Sequence, residues 1–213
     1  QWSNNAWSQI GSYIDGAGAG ARFGESMSLS SDGSRLAIGA IGESGSSWDR
    51  SGHVRIFQWA DNAWSQLGTE IKGDAAGDLL GVSMSWSGSG NRLAISAIGD
   101  DGNGENSGQV RVYNWSMSDW EQLGSDINGE ALGDRSGDSV SLSSDGNRLA
   151  IGATGNDGNG DESGHVRVFD LSMFNSFKIN AGLNDAWYNP DTSGQGFFIT
   201  VFPDLGYVSL AWF

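Results

Sequence analysis

The chain has 213 residues, with 11 Lys+Arg against 26 Asp+Glu and a formal net charge of −15, a balance that argues against a nucleic-acid partner because phosphate contacts need a basic surface. Ten Trp, nine Phe and 38% hydrophobic residues exclude a disordered chain, while 34 Gly with only 2 Pro and no G-x-y period exclude collagen. The absence of Cys excludes disulfides, cysteine zinc sites and a thiol nucleophile, and no apolar run approaches the roughly 20 residues that span a bilayer, so no membrane insertion is expected.

In chain order, Trp7-Ser8-Gln9-Ile10-Gly11 opens a leading strand over residues 7–14. Residues 26–30 alternate Ser with Met27 and Leu29, a period-2 strand pattern. Ser31-Asp32-Gly33-Ser34 reads as a hairpin turn, with Gly33 free to take positive φ. Arg35-Leu36-Ala37-Ile38-Gly39-Ala40 is short and apolar, which fits a buried strand. A Gly/Ser/Asp loop follows, then alternation over residues 54–59 and an amphipathic fourth strand over 64–71. No sustained helical spacing occurs in the first 171 residues.

This unit repeats. Arg35 recurs as Arg92 and Arg148, so the periods are 57 and 56 residues. Phe23-Gly24-Glu25-Ser26-Met27 recurs as Leu80-Gly81-Val82-Ser83-Met84 and Ser136-Gly137-Asp138-Ser139-Val140. His53-Val54-Arg55-Ile56-Phe57 recurs from Gln109 and from His165. Four antiparallel strands per 56–57 residues read as propeller blades, each burying its flanks on its neighbours. The expected fold is all-β: β-propeller-type four-stranded blades over residues 1–171 (repeats about 20–76, 77–132 and 133–171) and a small C-terminal β segment over 172–213.

The Phe-Gly-x-Ser-Met, Leu-Ala-Ile-Gly-Ala and Ser-Gly-His-Val-Arg-Ile-Phe elements resemble the FG-GAP repeat of integrin-α-type β-propellers over about residues 1–171. Two departures stand out. Ile41, Ile98 and Thr154 replace the family's Pro, and its long calcium loop between strands one and two is shortened to Ser-Asp-Gly-Ser or Ser-Asp-Gly-Asn, so those ligands do not carry over. The Ser-x-Asp-Gly-x-Arg-Leu-Ala stretch also resembles the TolB-type propeller repeat, which is shorter and lacks the Phe-Gly and Trp-x-Gln-Leu-Gly elements. The FG-GAP resemblance implies an extracellular or cell-surface location and a role in adhesion.

Blade counting leaves a gap. The third copy stops after Phe169 without its Trp-x-Gln-Leu-Gly strand, which the leading strand could supply, locking the ring. Closed propellers need about 4–8 blades. Three solutions stay open: further blades from a longer chain, homo-oligomeric assembly, or a fourth sheet from residues 172–213. The start at Gln1 without an initiator Met and the end at Phe213 in mid-strand favour a piece of something longer. Residues 172–213, with Ala186-Trp187-Tyr188-Asn189-Pro190 and strands over 196–202 and 207–213, resemble the start of a module appended to secreted proteobacterial proteins.

The loop between strands two and three carries the candidate metal ligands. Asp101, Asn103 and Glu105, like Asp157, Asn159 and Asp161, are oxygen donors at i, i+2 and i+4, with glycines between them that let the backbone curl around calcium. Asp-Gly and Asn-Gly also simply make turns. Copy one has Ser44, Ser46 and Trp48 there and lacks the donors. Six of the nine arginines recur by repeat and are expected to pair with turn acids such as Asp32 and Asp145 or to stack on Trp rings. His53 and His165 share a position with Gln109, which fits structural hydrogen bonding. Trp7, Trp64, Trp120, Trp59 and Trp115 are expected in inter-blade packing, whereas Trp48, Trp187 and Tyr188 are candidates for stacking on sugar faces.

No nucleophile elbow, zinc-protease motif or phosphate loop occurs, so an enzyme is not expected. The expected function is a non-catalytic extracellular recognition or adhesion propeller that presents loops to a protein or glycan ligand, with calcium as an aid. The alternatives are a structural protein that pairs blades between subunits and a propeller glycoside hydrolase.

Overall fold

The computed structural model describes residues 2–3, 5–42 and 50–172, and the backbone of three strands at 186–188, 196–202 and 207–212. It divides into two compact units, Gln1–Met173 and Phe174–Phe213. Trp48 and residues 173–185 lie outside the described residues. The described structure is all-β, without an α-helix.

The first unit opens with a hairpin of β1 (Trp2–Ser3) and β2 (Ala6–Trp7). The first repeat is the antiparallel meander β3 (Phe23–Leu29), β4 (Arg35–Ala40), β5 (His53–Ala60) and β6 (Ala63–Gln66), with β7 (Ile71–Lys72) rejoining β5. The second has the same order: β8 (Leu80–Trp86), β9 (Arg92–Ala97), β10 (Gln109–Ser116) and β11 (Asp119–Gln122), with β12 (Ile127–Asn128) on β10. The third is β13 (Ser136–Leu142), β14 (Arg148–Ala153) and β15 (His165–Asp170). In the second unit β16 (Ala186–Tyr188), β17 (Gly196–Phe202) and β18 (Tyr207–Trp212) form an antiparallel sheet.

The Phe-Gly position is a β-bulge. Register skips between Phe23 and Ser26, between Leu80 and Met84, and between Ser136 and Ser139. Its glycines, Gly24, Gly81 and Gly137, sit at φ +93, +101 and +104, a region side chains avoid. At the first hairpin Asp32 caps its own turn, accepting from Ser30 Oγ at 2.6 Å and the Ser34 N–H at 2.9 Å. These bonds, the Ser30 one foremost, hold the Asp32 carboxyl down to about 2. Asp145 repeats the arrangement with Ser143 and Asn147.

The expected fourth strand over 64–71 is two strands, β6 and β7. Gly68 interrupts it at φ +77, where a Cβ would crowd Asp119 and Trp120 of the following repeat.

The core lies between the repeats. Ala37, Val54 and Ile56 of the first sheet pack with Leu80, Trp86, Leu93 and Ile95 of the second. Ala94, Val110 and Val112 of the second pack with Leu142, Leu149 and Ile151 of the third. Each buried Val, Leu or Ile among them stabilises the junction by about 1.5–3 kcal/mol. The Ser-x-Ser faces of β3 and β8 meet the next sheet: Ser26 Oγ donates to Gly81 O, and the Val140 and Leu142 N–H groups donate to Ser83 and Ser85 Oγ. The sheets are therefore propeller wedges set side by side through β3, β8 and β13.

The leading strand does not join β15, as ring locking required. Among the described residues β15 pairs only with β14, while the leading segment lies against the first wedge. Arg55 donates to Asp15 O, just as Arg111 reaches Lys72 O and Arg167 reaches Asn128 O. The leading segment thus holds the place of a preceding wedge's outer strand.

Candidate functional site

The two edges of the wedges differ. One carries the tight turns after β3, β8 and β13. The other carries the loops between the second and third strands and the lead-ins to each inner strand. On this second edge the loops of repeats two and three fold identically. Asp101 Oδ1 accepts the Asn106 N–H and Asp157 Oδ1 accepts the Glu162 N–H, both at 2.8 Å. Asn103 and Asn159 present their N–H groups to Ser107 and Ser163 Oγ. Gly102 with Gly104, and Gly158 with Gly160, form bridges across the loop. The Asn103 amide also donates to Gly129 O at 2.7 Å, which ties the loop to its lead-in.

The candidate calcium donors thus lie in closed, preformed loops, each with one carboxylate oxygen of Asp101 or Asp157 engaged by backbone. Asp157 and Asp161 line a groove of about 330 Å³ with Arg135, Thr154 and Glu162. Among the described residues no three His, Asp or Glu side chains converge on one metal position. A second groove of about 340 Å³ runs between repeats two and three past Leu79, Asn106 and Arg135. These three take φ values of 59, 53 and 54, a left-handed backbone that recurs at the equivalent positions Arg22, Arg50 and Glu162. Trp187 and Tyr188 lie on β16, and their side chains, like all of Trp48, fall outside the described residues.

Beneath the loops lies a buried polar layer that the loop motifs do not reveal. Asp78 and Asp134 cap the lead-ins, accepting the N–H groups of Asp74 and Ala75 and of Glu130 and Ala131. The recurring Gly-Asp-x-x-Gly of residues 77–81 and 133–137 was the available signal. In repeat three Asn156 Nδ2 donates to Asp134 Oδ1 at 3.1 Å. In repeat two Asp100 takes the place of Asn156, facing Asp78. Burial first, and the Asp78 charge as well, push the Asp100 carboxyl above its ordinary 3.8. A raised carboxyl adds stability below 3.8, and that stability is lost as pH rises through the folded value. Asp100→Asn should therefore stabilise the protein at neutral pH by about 1 kcal/mol. In thermal melts across pH, its gain over wild type should vanish below pH 3.8.

The turn acids Asp32 and Asp145 are engaged by their own turns, and the second-strand arginines Arg35 and Arg92 reach across to the next wedge. Arg35 Nη1 crosses to Gly90 O at 2.6 Å and stacks over Trp115 and Trp120 at 5.7 and 5.9 Å. Arg92 Nη1 reaches Gly146 O in the same way. Arg111 is buried, bonded to Gln109 Oε1 and ion-paired with Asp74 at 2.6 Å. His53 lies 3.3 Å from Glu70, and burial, opposed by that carboxylate, pushes its imidazole below the usual range. The tryptophans meet in cross-strand pairs, Trp59 with Trp64 and Trp115 with Trp120, at 5.2 and 5.1 Å. Trp120 also reaches between wedges, its Nε1 donating to Leu67 O.

Residues 128–169 match the family model of the FG-GAP repeat. That stretch is an FG-GAP repeat. The match begins on β12 and ends on β15, so it contains the capping Asp134, the bulge glycine Gly137 and the acidic loop with Asp157 and Asp161. FG-GAP repeats are typical of extracellular proteins, and no described helix is long and apolar enough to cross a membrane. No curated protein matches the chain. Among solved structures, one from Bacteroides uniformis named as a 6-phosphogluconolactonase aligns at 13% identity and TM-score 0.40, over 87% of this chain and 52% of its own. A mannose phosphorylase from Leishmania mexicana, in complex with phosphate ion, aligns at 14% identity and TM-score 0.36, over 91% of this chain and 63% of its own. The chain thus spans less than two thirds of either, and likenesses at this level carry no argument about activity.

Proposed function

We propose that this chain is a non-catalytic extracellular recognition module that presents the acidic loop edge of its FG-GAP wedges to a protein or glycan ligand. One observation carries the reading: repeats two and three hold the same loop in the same hydrogen-bonded form, so the edge is preorganised before any ligand arrives. The groove beside the repeat-three loop combines the carboxylates of Asp157, Asp161 and Glu162 with the Arg135 guanidinium, which suits polar recognition. The remaining oxygens of Asp101, Asn103 and Glu105, and of Asp157, Asn159 and Asp161, would be the ones to face calcium, as hard oxygen donors suit that ion.

Screening the chain on glycan and protein arrays, with calcium and with chelator, tests the proposal. A ligand should appear, and joint Asp157→Asn and Asp161→Asn substitution should weaken it about tenfold or more, the loss of one or two charge-assisted contacts. Silence on both arrays in both conditions would refute recognition. Equal binding with calcium and chelator would remove the ion from the proposal.

A further inference from the structure

The two internal junctions use one set of partners. Val54 Cγ2 lies over Gly81, and Val110 Cγ2 lies over Gly137. Arg35 and Arg92 donate to Gly90 O and Gly146 O. The Leu79 and Leu80 N–H groups donate to Arg50 and Ser51 O, as those of Arg135 and Ser136 donate to Asn106 and Ser107 O.

Running the repeat outward leaves half a junction at each end. On the third wedge Val166 and Val168 are 68% and 64% exposed, whereas their counterparts Val54, Ile56, Val110 and Val112 are at most 2% exposed. On the first wedge Met27 and Leu29 are 66% and 55% exposed, whereas Trp86 and Leu142, the counterparts of Leu29, are each 8%. Gly24, at φ +93, faces open space where Gly81 and Gly137 each meet a valine. One bulge glycine lacks its valine, and one valine lacks its glycine.

We infer that these half-junctions join between two copies of this chain. Val166 of one copy packs on Gly24 of the other, Arg148 turns from Asp170 to Gly33 O, and the Arg22 and Phe23 N–H groups donate to Glu162 and Ser163 O. The receiving surface is a groove of about 300 Å³ lined by Gln9, Ile10, Tyr13, Ile14, Phe23 and Met27. Its outer wall is the leading segment, which already holds the place of an outer strand. The docked β15 would therefore meet Gln9 and Ile14 as β5 meets Gln66 and Ile71. Leu171 and Ser172 arrive at the repeat position that Trp2 and Ser3 occupy, so docking displaces β1 from β2. Two such contacts close a ring of six wedges, inside the range of about 4–8 for closed propellers. This inference goes beyond the recognition reading and does not depend on it.

Light scattering on the full chain tests it. The wild type should dimerise, at twice the 22.5 kDa chain mass, and dissociate over roughly a hundredfold dilution. Val166→Asp and Met27→Asp each alter an exposed side chain, so each should stay folded by circular dichroism and be monomeric alone. Mixed together they should form a heterodimer, because one intact junction remains between them. A wild type that stays monomeric at every concentration overturns the inference, whether a further blade or residues 174–213 then covers the flank. Dimers that survive in either single variant overturn it too.

Discussion

Gly108→Ala should cost about 3 kcal/mol or more, while Gly133→Ala should cost about 1. Both glycines sit at φ +80, so both substitutions carry the same backbone strain, about 1–2 kcal/mol for a side chain in the left-handed region. They differ in their surroundings. A Cβ on Gly133 meets nothing within 4 Å, whereas a Cβ on Gly108 would run into the backbone N and O of Ser136. Backbone cannot turn aside as a side chain can, and here it is held by the Ser136 N–H bond to Ser107 O. The alanine must push β13 away from the second wedge, at an overpacking cost of about 1–3 kcal/mol. In thermal melts the difference should appear as a drop for Gly108→Ala larger by several degrees, at about 2–4 °C per kcal/mol for a domain of this size. Equal melting temperatures would mean that the close approach of repeats two and three is not what holds them.

Val110→Asp and Val166→Asp place the same change at equivalent repeat positions with opposite expected results. Val110 is fully buried against Gly137, so its replacement leaves an unpaired carboxylate in an apolar junction, a loss of about 3–5 kcal/mol. Val166 stands exposed on the last wedge, and there the change should move the stability of the monomer by less than about 0.5 kcal/mol. Urea denaturation at a concentration where the chain is monomeric measures both. A large loss at Val166 under those conditions would mean that the flank of the third wedge is covered within the chain.

Much of this architecture is readable from residues alone. The recurrence of Arg35, Arg92 and Arg148 marks the wedge period, and Asp32-Gly33 marks the hairpin. The direction of the polar faces was not readable. The alternation of Ser26 and Ser28 with Met27 and Leu29 marks a strand without saying which side packs, and it is the serine side that meets the next wedge: Ser26 Oγ donates to Gly81 O and Ser28 O accepts from Trp86 Nε1. Small hydroxyl side chains let backbones approach, and periodicity does not distinguish that use from exposure. The same limit hid the partners of Arg35 and Arg92, whose acceptors are carbonyls about a repeat away. In the loops, Asp101 and Asp157 were legible as oxygen donors, but their N–H partners depend on the loop closing on itself. Asp78 and Asp100 were missed because nothing local shows that two carboxyls 22 positions apart in sequence face each other.

Because the apolar clusters straddle successive sheets, cooperativity here is a nearest-neighbour property. In a single copy the middle sheet is clasped on both sides and should open last, whereas each end sheet is clasped on one side only. Evolution can lengthen or shorten such an array one unit at a time, since each added unit brings both the lock and the key for the next.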